Sequence, residues 1–88
     1  MRKSAVIHAI LSIYEVMKLR KENAFFIYLL ERYAEYKNKN AADILNEWEK
    51  LDLTQFIYDM YELYHIERLQ NAFEDIDRLV AEKINDQS

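Results

Sequence analysis

The 88-residue chain contains no glycine and no proline, and this absence limits its possible folds more than any other feature. An average chain of this length would carry about six glycines and about four prolines. Phosphate-binding loops and dinucleotide-binding turns need glycine where the backbone approaches a phosphate, so nucleotide sites of those kinds are excluded. Asn-Gly hairpins are absent as well, and no alternation of polar and apolar residues is long enough to predict a strand. The sequence therefore predicts an all-α protein.

Apolar residues recur at helical spacing between residues that can cap the start of a helix. The capping candidates are Ser4, Asn23, Asn40, Asp52 and Asn71. They predict five helices of about 11 to 17 residues each, with the first over residues 4–20 and the fourth over residues 53–65. In the last helix, Asp75 and Asp77 are interpreted as negative charges near the positive end of the helix dipole. Short connections favour a compact bundle of about five short helices in a single domain, 1–88.

Composition and charge narrow the functional classes. Apolar residues make up 51% of the chain and charged residues 32%, which favours a folded protein. No apolar run is long enough for a membrane span, and the apolar stretch "AVIHAILSIY" lacks a signal-peptide cleavage site. The chain also contains no cysteine, which fits a reducing compartment. We therefore expect a cytoplasmic protein that does not interact with membranes. Twelve basic against sixteen acidic residues give a net charge of −4, which argues against a nucleic-acid partner.

The stretch "YDMYELYHIER", residues 58–68, places three tyrosines three residues apart and then a histidine. On the predicted fourth helix one broad face is apolar and is expected to be buried: Leu53, Phe56, Ile57, Met60, Leu63 and Tyr64. The opposite side carries Gln55, Asp59 and Glu62 and should face water. Tyr58, Tyr61 and His65 lie with Thr54 on a flank between the two sides.

Two interpretations of this flank stay open. Tyrosine offers a large contact area with little entropy loss, so the flank could be a recognition surface. It could equally be the border of the core with its hydroxyl groups in water. We take Tyr58, Tyr61, His65 and Glu62 as candidate partner-binding residues.

Catalysis and metal binding find less support in the residues. His65 has no serine, cysteine or second histidine at a spacing typical of a catalytic pair. Glu62 and His65 have the Glu-x-x-His spacing of metal sites in helical bundles, but such sites use two copies and two further glutamates. We therefore expect no enzyme activity, no cofactor and no metal. The alternative is a small enzyme or a ligand- or metal-binding bundle that uses His65 and nearby carboxylates.

From about residue 24 to residue 80 the chain resembles a family of small bacterial helical proteins classed as a domain of unknown function. The resemblance rests on "NAADILNEWEKLDLTQFIYDMYELYH" and "FEDIDRLV". In that family a Tyr-acidic-x-x-His pattern ends one helix, which here falls on Tyr61, Glu62 and His65, and an acidic "EDID" precedes the last helix, here residues 74–77. The family usually has threonine and glycine after the histidine, whereas this chain has Ile66 and Arg68, so we expect a reshaped turn or a longer helix there.

The resemblance also implies a function. Members of the family are often encoded beside an ADP-ribosyltransferase-like protein in operons that resemble toxin–antitoxin pairs. The resemblance thus implies a non-catalytic protein-interaction module, an antitoxin-like regulator that binds and neutralises a neighbouring enzyme. The predicted first two helices have wide apolar arcs, which further predict a homodimer.

Overall fold

The computed structural model describes the backbone of residues 2–87 and the side chains of residues 17–87. Five helices follow one another along this part of the chain, which contains no strand: α1 (Arg2–Lys37), α2 (Ala41–Lys50), α3 (Thr54–Asp59), α4 (Tyr61–Tyr64) and α5 (Leu69–Gln87). The all-α prediction and the number of helices are confirmed. The predicted boundaries are partly wrong, because the first two predicted helices form one helix and the predicted helix 53–65 is divided in two. No helix within residues 2–87 is long and apolar enough to cross a lipid bilayer.

Helix α1 runs through Asn23, where the sequence predicted a new helix to begin. An N-cap contributes only about 0.5–2 kcal/mol, and without glycine or proline nearby nothing interrupts the backbone hydrogen bonds. The Asn23 side chain accepts a hydrogen bond from Tyr58 instead of capping a helix. The prediction that Ser4 starts the first helix is also wrong, since α1 already begins at Arg2. The predicted apolar arc of the first helix runs from residue 6 to Met17, and all of it except the exposed Met17 lies outside the described side chains.

Two residues with a left-handed backbone conformation end α1 and α2, at a position where glycine is the usual residue. Asn38 has φ 57° and Asp52 has φ 58°. After α1 the amide of Lys39 donates to the carbonyl of Ala34, and after α2 the amide of Leu53 donates to the carbonyl of Trp48, each over 2.8 Å. These are Schellman motifs, in which asparagine and aspartate tolerate the left-handed conformation better than other residues with a side chain. Asp52 therefore ends a helix and does not cap the start of one.

The remaining predicted caps have different outcomes. Asn40 is the N-cap of α2, and its Oδ1 accepts a 2.8 Å hydrogen bond from the amide of Asp43, as predicted. Asn71 is not a cap, because α5 already begins at Leu69. Between α3 and α4 the backbone leaves helical geometry at Met60, with φ −79° and ψ 10°. The α4 helix ends at Tyr64, so the turn after His65 does not lengthen it.

The core lies between the C-terminal half of α1 and the four shorter helices. Trp48 is fully buried, with its ring 5.9 Å from Phe26 and 5.7 Å from Tyr33. The buried residues are Leu29, Leu30, Tyr33, Ala34, Ile44, Trp48, Leu51, Leu53, Ile57, Tyr64, Ala72, Phe73 and Ile76. Removing this apolar surface from water is the main source of stability for a domain of this size.

The buried side of α3 and α4 is narrower than predicted and is shifted toward the tyrosine flank. Leu53, Ile57 and Tyr64 are buried, as the sequence predicted, and Met60 is partly buried. Phe56 and Leu63 are 48% and 45% exposed, so their predicted burial is wrong. The reason is that α1 packs on the side that carries Tyr58 and Tyr61, which leaves the far edge of the predicted apolar face open.

Candidate functional site

Tyr58 is attached to α1 by both its ring and its hydroxyl group. The hydroxyl donates a 2.7 Å hydrogen bond to Oδ1 of Asn23, and the ring lies 5.6 Å from that of Phe26. Partial burial raises the pKa of this phenol, and the nearby carboxylates of Glu22 and Asp59 add to the effect. Tyr58 therefore lies at the border of the core, as the sequence predicted, but its hydroxyl group binds protein and does not simply face water.

Tyr61 and His65 form a flat, two-ring stack on the surface of α4. Their ring centroids are 4.3 Å apart and the ring planes are 5° from parallel. Phe25 of α1 meets the stack edge-on, 5.6 Å from Tyr61 and 6.4 Å from His65. Edge-to-face contact is a favourable geometry for aromatic rings, so Phe25 holds the stack in place while His65 remains exposed.

The imidazole of His65 is oriented by a hydrogen bond to the backbone of the preceding helical turn. Nδ1 lies 2.5 Å from the carbonyl oxygen of Tyr61. Because a carbonyl oxygen only accepts hydrogen bonds, Nδ1 donates in this contact, which leaves Nε2 as the ring nitrogen that can bind another molecule. Among residues 17–87 the hydrogen-bond partner of this ring is a backbone carbonyl and not a carboxylate, so the arrangement differs from the base–orienter pairs of catalytic histidines.

Beside the stack, α1 and α4 form the two walls of an open groove of about 310 Å³. Tyr61, Glu62 and His65 line it from α4, and Met17, Lys18 and Lys21 line it from α1. Three of the four candidate residues thus lie together at one groove, while Tyr58 belongs to the neighbouring contact between α1 and α3. Glu62 is exposed, as the sequence predicted.

The α1 wall of this groove was not predicted from the sequence. The first helix was expected to end at residue 20. Because α1 continues to Lys37, no helix ends there and that boundary is wrong. A signal was present in the lack of any residue that stops a helix between residues 17 and 28.

Two aspartates of the acidic stretch at residues 74–77 accept hydrogen bonds from two buried tyrosines, and we call the pairs Tyr33–Asp77 and Tyr64–Asp75 the clamp. Oδ1 of Asp77 accepts a 2.6 Å hydrogen bond from the hydroxyl of Tyr33, and the carboxylate of Asp75 accepts one from the hydroxyl of Tyr64. Ile76, between the two aspartates, is fully buried. The interpretation of these aspartates as charges near the start of a helix is therefore wrong, because α5 begins at Leu69 and its first turn carries no acidic residue. Each aspartate instead accepts a hydrogen bond from a residue of another helix.

The pKa values of three clamp residues, Tyr33, Tyr64 and Asp75, are shifted from their usual values. Burial raises the pKa of the Tyr33 and Tyr64 phenols well above the usual value, and the hydrogen-bonded carboxylates of Asp77 and Asp75 raise it further. At Asp75 burial acts to raise the pKa, but the hydrogen bonds from Tyr64 and Arg78 outweigh it, so the pKa is lowered. Lys37 also lies 3.2 Å from Oδ1 of Asp77. Because its pKa is lowered, Asp75 remains ionised near pH 7, and because their pKa values are raised, both tyrosines remain neutral.

No group of three or more histidine, aspartate or glutamate side chains is arranged to hold a metal ion within residues 17–87. Glu62 and His65 share the groove, but they contribute only one Glu-x-x-His pair.

Comparison with protein families matches residues 24–83 to the family described as "Protein of unknown function (DUF3791)". The chain belongs to this family. The match covers residues 24–37 of α1, all of α2, α3 and α4, and residues 69–83 of α5, close to the stretch of the resemblance seen in the sequence. Comparison with curated proteins and with solved structures found no match.

The residues that carried the resemblance to DUF3791 fall into two structural groups. Tyr61, Glu62 and His65 line the groove, whereas Asp75 and Asp77 hold buried tyrosines. The first group is available for contact with other molecules and the second supports the fold.

Proposed function

We propose that this member of DUF3791 is a non-catalytic protein-interaction module that binds a neighbouring enzyme and neutralises it, in the manner of an antitoxin. The observation that carries the proposal is the stack of half-buried Tyr61 and exposed His65 at the edge of a groove. A rigid aromatic pair supplies contact area that costs little entropy to immobilise, which is typical of residues that dominate protein interfaces. The resemblance to small bacterial proteins encoded beside ADP-ribosyltransferase-like proteins supports the choice of partner.

The surface of the proposed module consists of Tyr61, His65 and Glu62, with Tyr58 at its border. Tyr61 and His65 are held in one orientation by Phe25 and by the hydrogen bond to the Tyr61 carbonyl. Pre-organisation of this kind lowers the entropy cost of binding. Tyr58 supports the surface indirectly, because its hydroxyl already binds Asn23.

The experiment is capture of partners from native lysate, followed by an assay of the enzyme encoded next to this protein with and without the purified protein. We expect a stoichiometric complex in which the neighbouring enzyme loses activity. His65→Gln removes one ring of the proposed interface and should therefore weaken inhibition, and it should abolish no catalytic turnover, because none is expected. A purified protein that turned over nucleotide or RNA and lost this turnover on His65→Gln would contradict the proposal.

The assay has a matched control on α3. Phe56 is an exposed aromatic residue of comparable size that does not line the groove. Phe56→Ala should leave inhibition unchanged, whereas Tyr61→Ala should weaken it. If both variants weakened inhibition equally, the cause would be a general loss of folded structure and not the loss of a specific contact surface.

A further inference from the structure

We propose that the groove between α1 and α4 binds an acidic side chain of the partner protein, presented beside an apolar side chain on an exposed segment. This inference rests on the proposed function and specifies the chemistry of the partner. The groove has a volume of about 310 Å³, enough for a few side chains of a docked segment but too small for a folded element.

The charges of the groove favour an anion. Lys18 and Lys21 stand on the α1 wall, and neither forms an ion pair with a described carboxylate. Glu62 is the one carboxylate among the six lining residues. Two ammonium groups against one carboxylate leave a local positive charge on a protein whose net charge is −4. A partner carboxylate would gain from this local field, which also guides the approach of the two proteins.

The groove also offers an apolar contact. Met17 is 56% exposed on the α1 wall, and the stacked Tyr61 and His65 line the other wall. Methionine adapts to partner side chains of different shape, and aromatic rings supply area without many rotatable bonds. An acidic residue next to an apolar residue would use both features, whereas a small free anion would use only the lysines.

Nucleic acid fits the same groove less well. A phosphate backbone is recognised by a dense row of basic residues, and Glu62 would face that backbone directly. Another groove, between α2 and the end of α5, provides the contrast. Its volume is about 550 Å³, and its lining includes Lys39 and Lys50 together with Asp43 and Glu47. Its charges are balanced, so it should not select an acidic ligand.

The test is an NMR titration of the ¹⁵N-labelled full chain with the peptide acetyl-Leu-Glu-Leu-Glu-Leu-amide and with the same peptide carrying glutamine in place of glutamate. The structure leads us to expect amide shifts confined to residues 17–21 and 61–65 with the glutamate peptide. The glutamine peptide should bind at least about fivefold more weakly, because it lacks the charge that pairs with the lysines. Addition of 0.5 M NaCl should weaken only the glutamate peptide.

Charge reversal on each groove gives a matched pair of variants. Lys18→Glu with Lys21→Glu and Lys39→Glu with Lys50→Glu change the net charge by the same amount, and only the first should abolish the shifts. Equal binding of both peptides, shifts outside the groove, or undiminished binding by the first variant would overturn the proposal. Tighter binding of a twelve-residue oligothymidine at the same residues would assign the groove to nucleic acid instead. Shifts of these residues on dilution of the free protein would assign it to a second copy.

The captured partner separates this inference from the proposed function. If the partner binds the wild type and the Lys18→Glu, Lys21→Glu variant equally, the interaction module stands and the groove assignment falls. If no partner inhibits or binds, the proposed function falls, and the peptide titration still decides whether the groove selects an acidic ligand.

Discussion

The hydroxyl of Tyr33 donates a 2.6 Å hydrogen bond to Oδ1 of Asp77 and so ties α1 to α5 across 44 residues of sequence. The matching bond from Tyr64 to Asp75 ties α4 to α5. Both tyrosines are 1% exposed, so their hydroxyl groups need a partner within the protein. The two pairs hold the scaffold that presents the neighbouring Tyr61–His65 stack.

Tyr33→Phe and Tyr64→Phe should each lower the free energy of unfolding by about 1 to 2 kcal/mol, because each removes one hydrogen bond to a carboxylate while keeping the ring. Urea denaturation followed by circular dichroism measures this change. Tyr28→Phe, on an exposed tyrosine of α1, serves as the control and should change stability by less than about 0.5 kcal/mol. Wild-type stability in both clamp variants would show that these bonds contribute nothing to the fold.

Alkaline pH should destabilise the protein through the same two phenols. Their pKa values are raised in the folded state, so their contribution is complete below the unfolded value of 10.0 and is lost as the pH rises above it. Each phenol should then remove up to about 1.4 kcal/mol per pH unit above pH 10. Denaturation at pH 8, 10 and 11 measures the slope. The Tyr33→Phe, Tyr64→Phe double variant should show a shallower slope, and an identical slope would contradict the assignment.

For Asn38 and Asp52, the two residues with a left-handed backbone, we predict substitutions that raise the stability. Asn38→Gly and Asp52→Gly should not destabilise the protein, and each should raise the free energy of unfolding by up to about 1 kcal/mol, because glycine adopts positive φ without a steric cost. Asn40→Gly is the control, since it removes the hydrogen bond that caps α2 and has an extended backbone. Thermal melts should then give higher melting temperatures for Asn38→Gly and Asp52→Gly than for Asn40→Gly. A loss of stability in Asp52→Gly would indicate that the aspartate side chain has a further role.

Local features of the fold were predictable from the sequence, and long-range features were not. Asn40 was predicted as a cap because its bond to the Asp43 amide spans three residues. Asn23 has the same side chain, but it is used by Tyr58, 35 residues away. Asparagine and aspartate can cap a helix, adopt positive φ or accept a distant hydrogen bond. Only the folded neighbours decide between these roles.

The same distinction applies to the candidate site. Helical periodicity placed Tyr64 in the core and Tyr58 and Tyr61 at its border, as the structure has them. It could not show that α1 covers the tyrosine side, because that contact joins distant parts of the chain. The groove was missed for this reason, since half of its lining comes from α1. The tyrosine partners of Asp75 and Asp77 were missed because they lie 11 and 44 residues away.

The homodimer stays a prediction, and it is motivated by two exposed apolar side chains of α1 that do not line the groove between α1 and α4. Leu19 and Ile27 are 51% and 55% exposed. Burying such residues against a second copy would remove apolar surface from water. Light scattering at tens of micromolar should give twice the monomer mass of 10.7 kDa, and Leu19→Glu should reduce it to the monomer. A wild-type value of 10.7 kDa would contradict the prediction.

The central proposal is that three tyrosines, each three residues from the next, have different roles. Tyr64 stabilises the fold, whereas Tyr61, with Tyr58 at its border, is proposed to bind the partner. The most direct measurement pairs a binding titration against the captured partner with a thermal melt of the same preparations. Tyr64→Ala should cost about 3 kcal/mol or more of stability, as large-to-small aromatic substitutions do in cores. Tyr58→Ala with Tyr61→Ala should keep a cooperative helical melt and weaken binding by about 2 kcal/mol or more. Wild-type affinity in this double variant would contradict the claim.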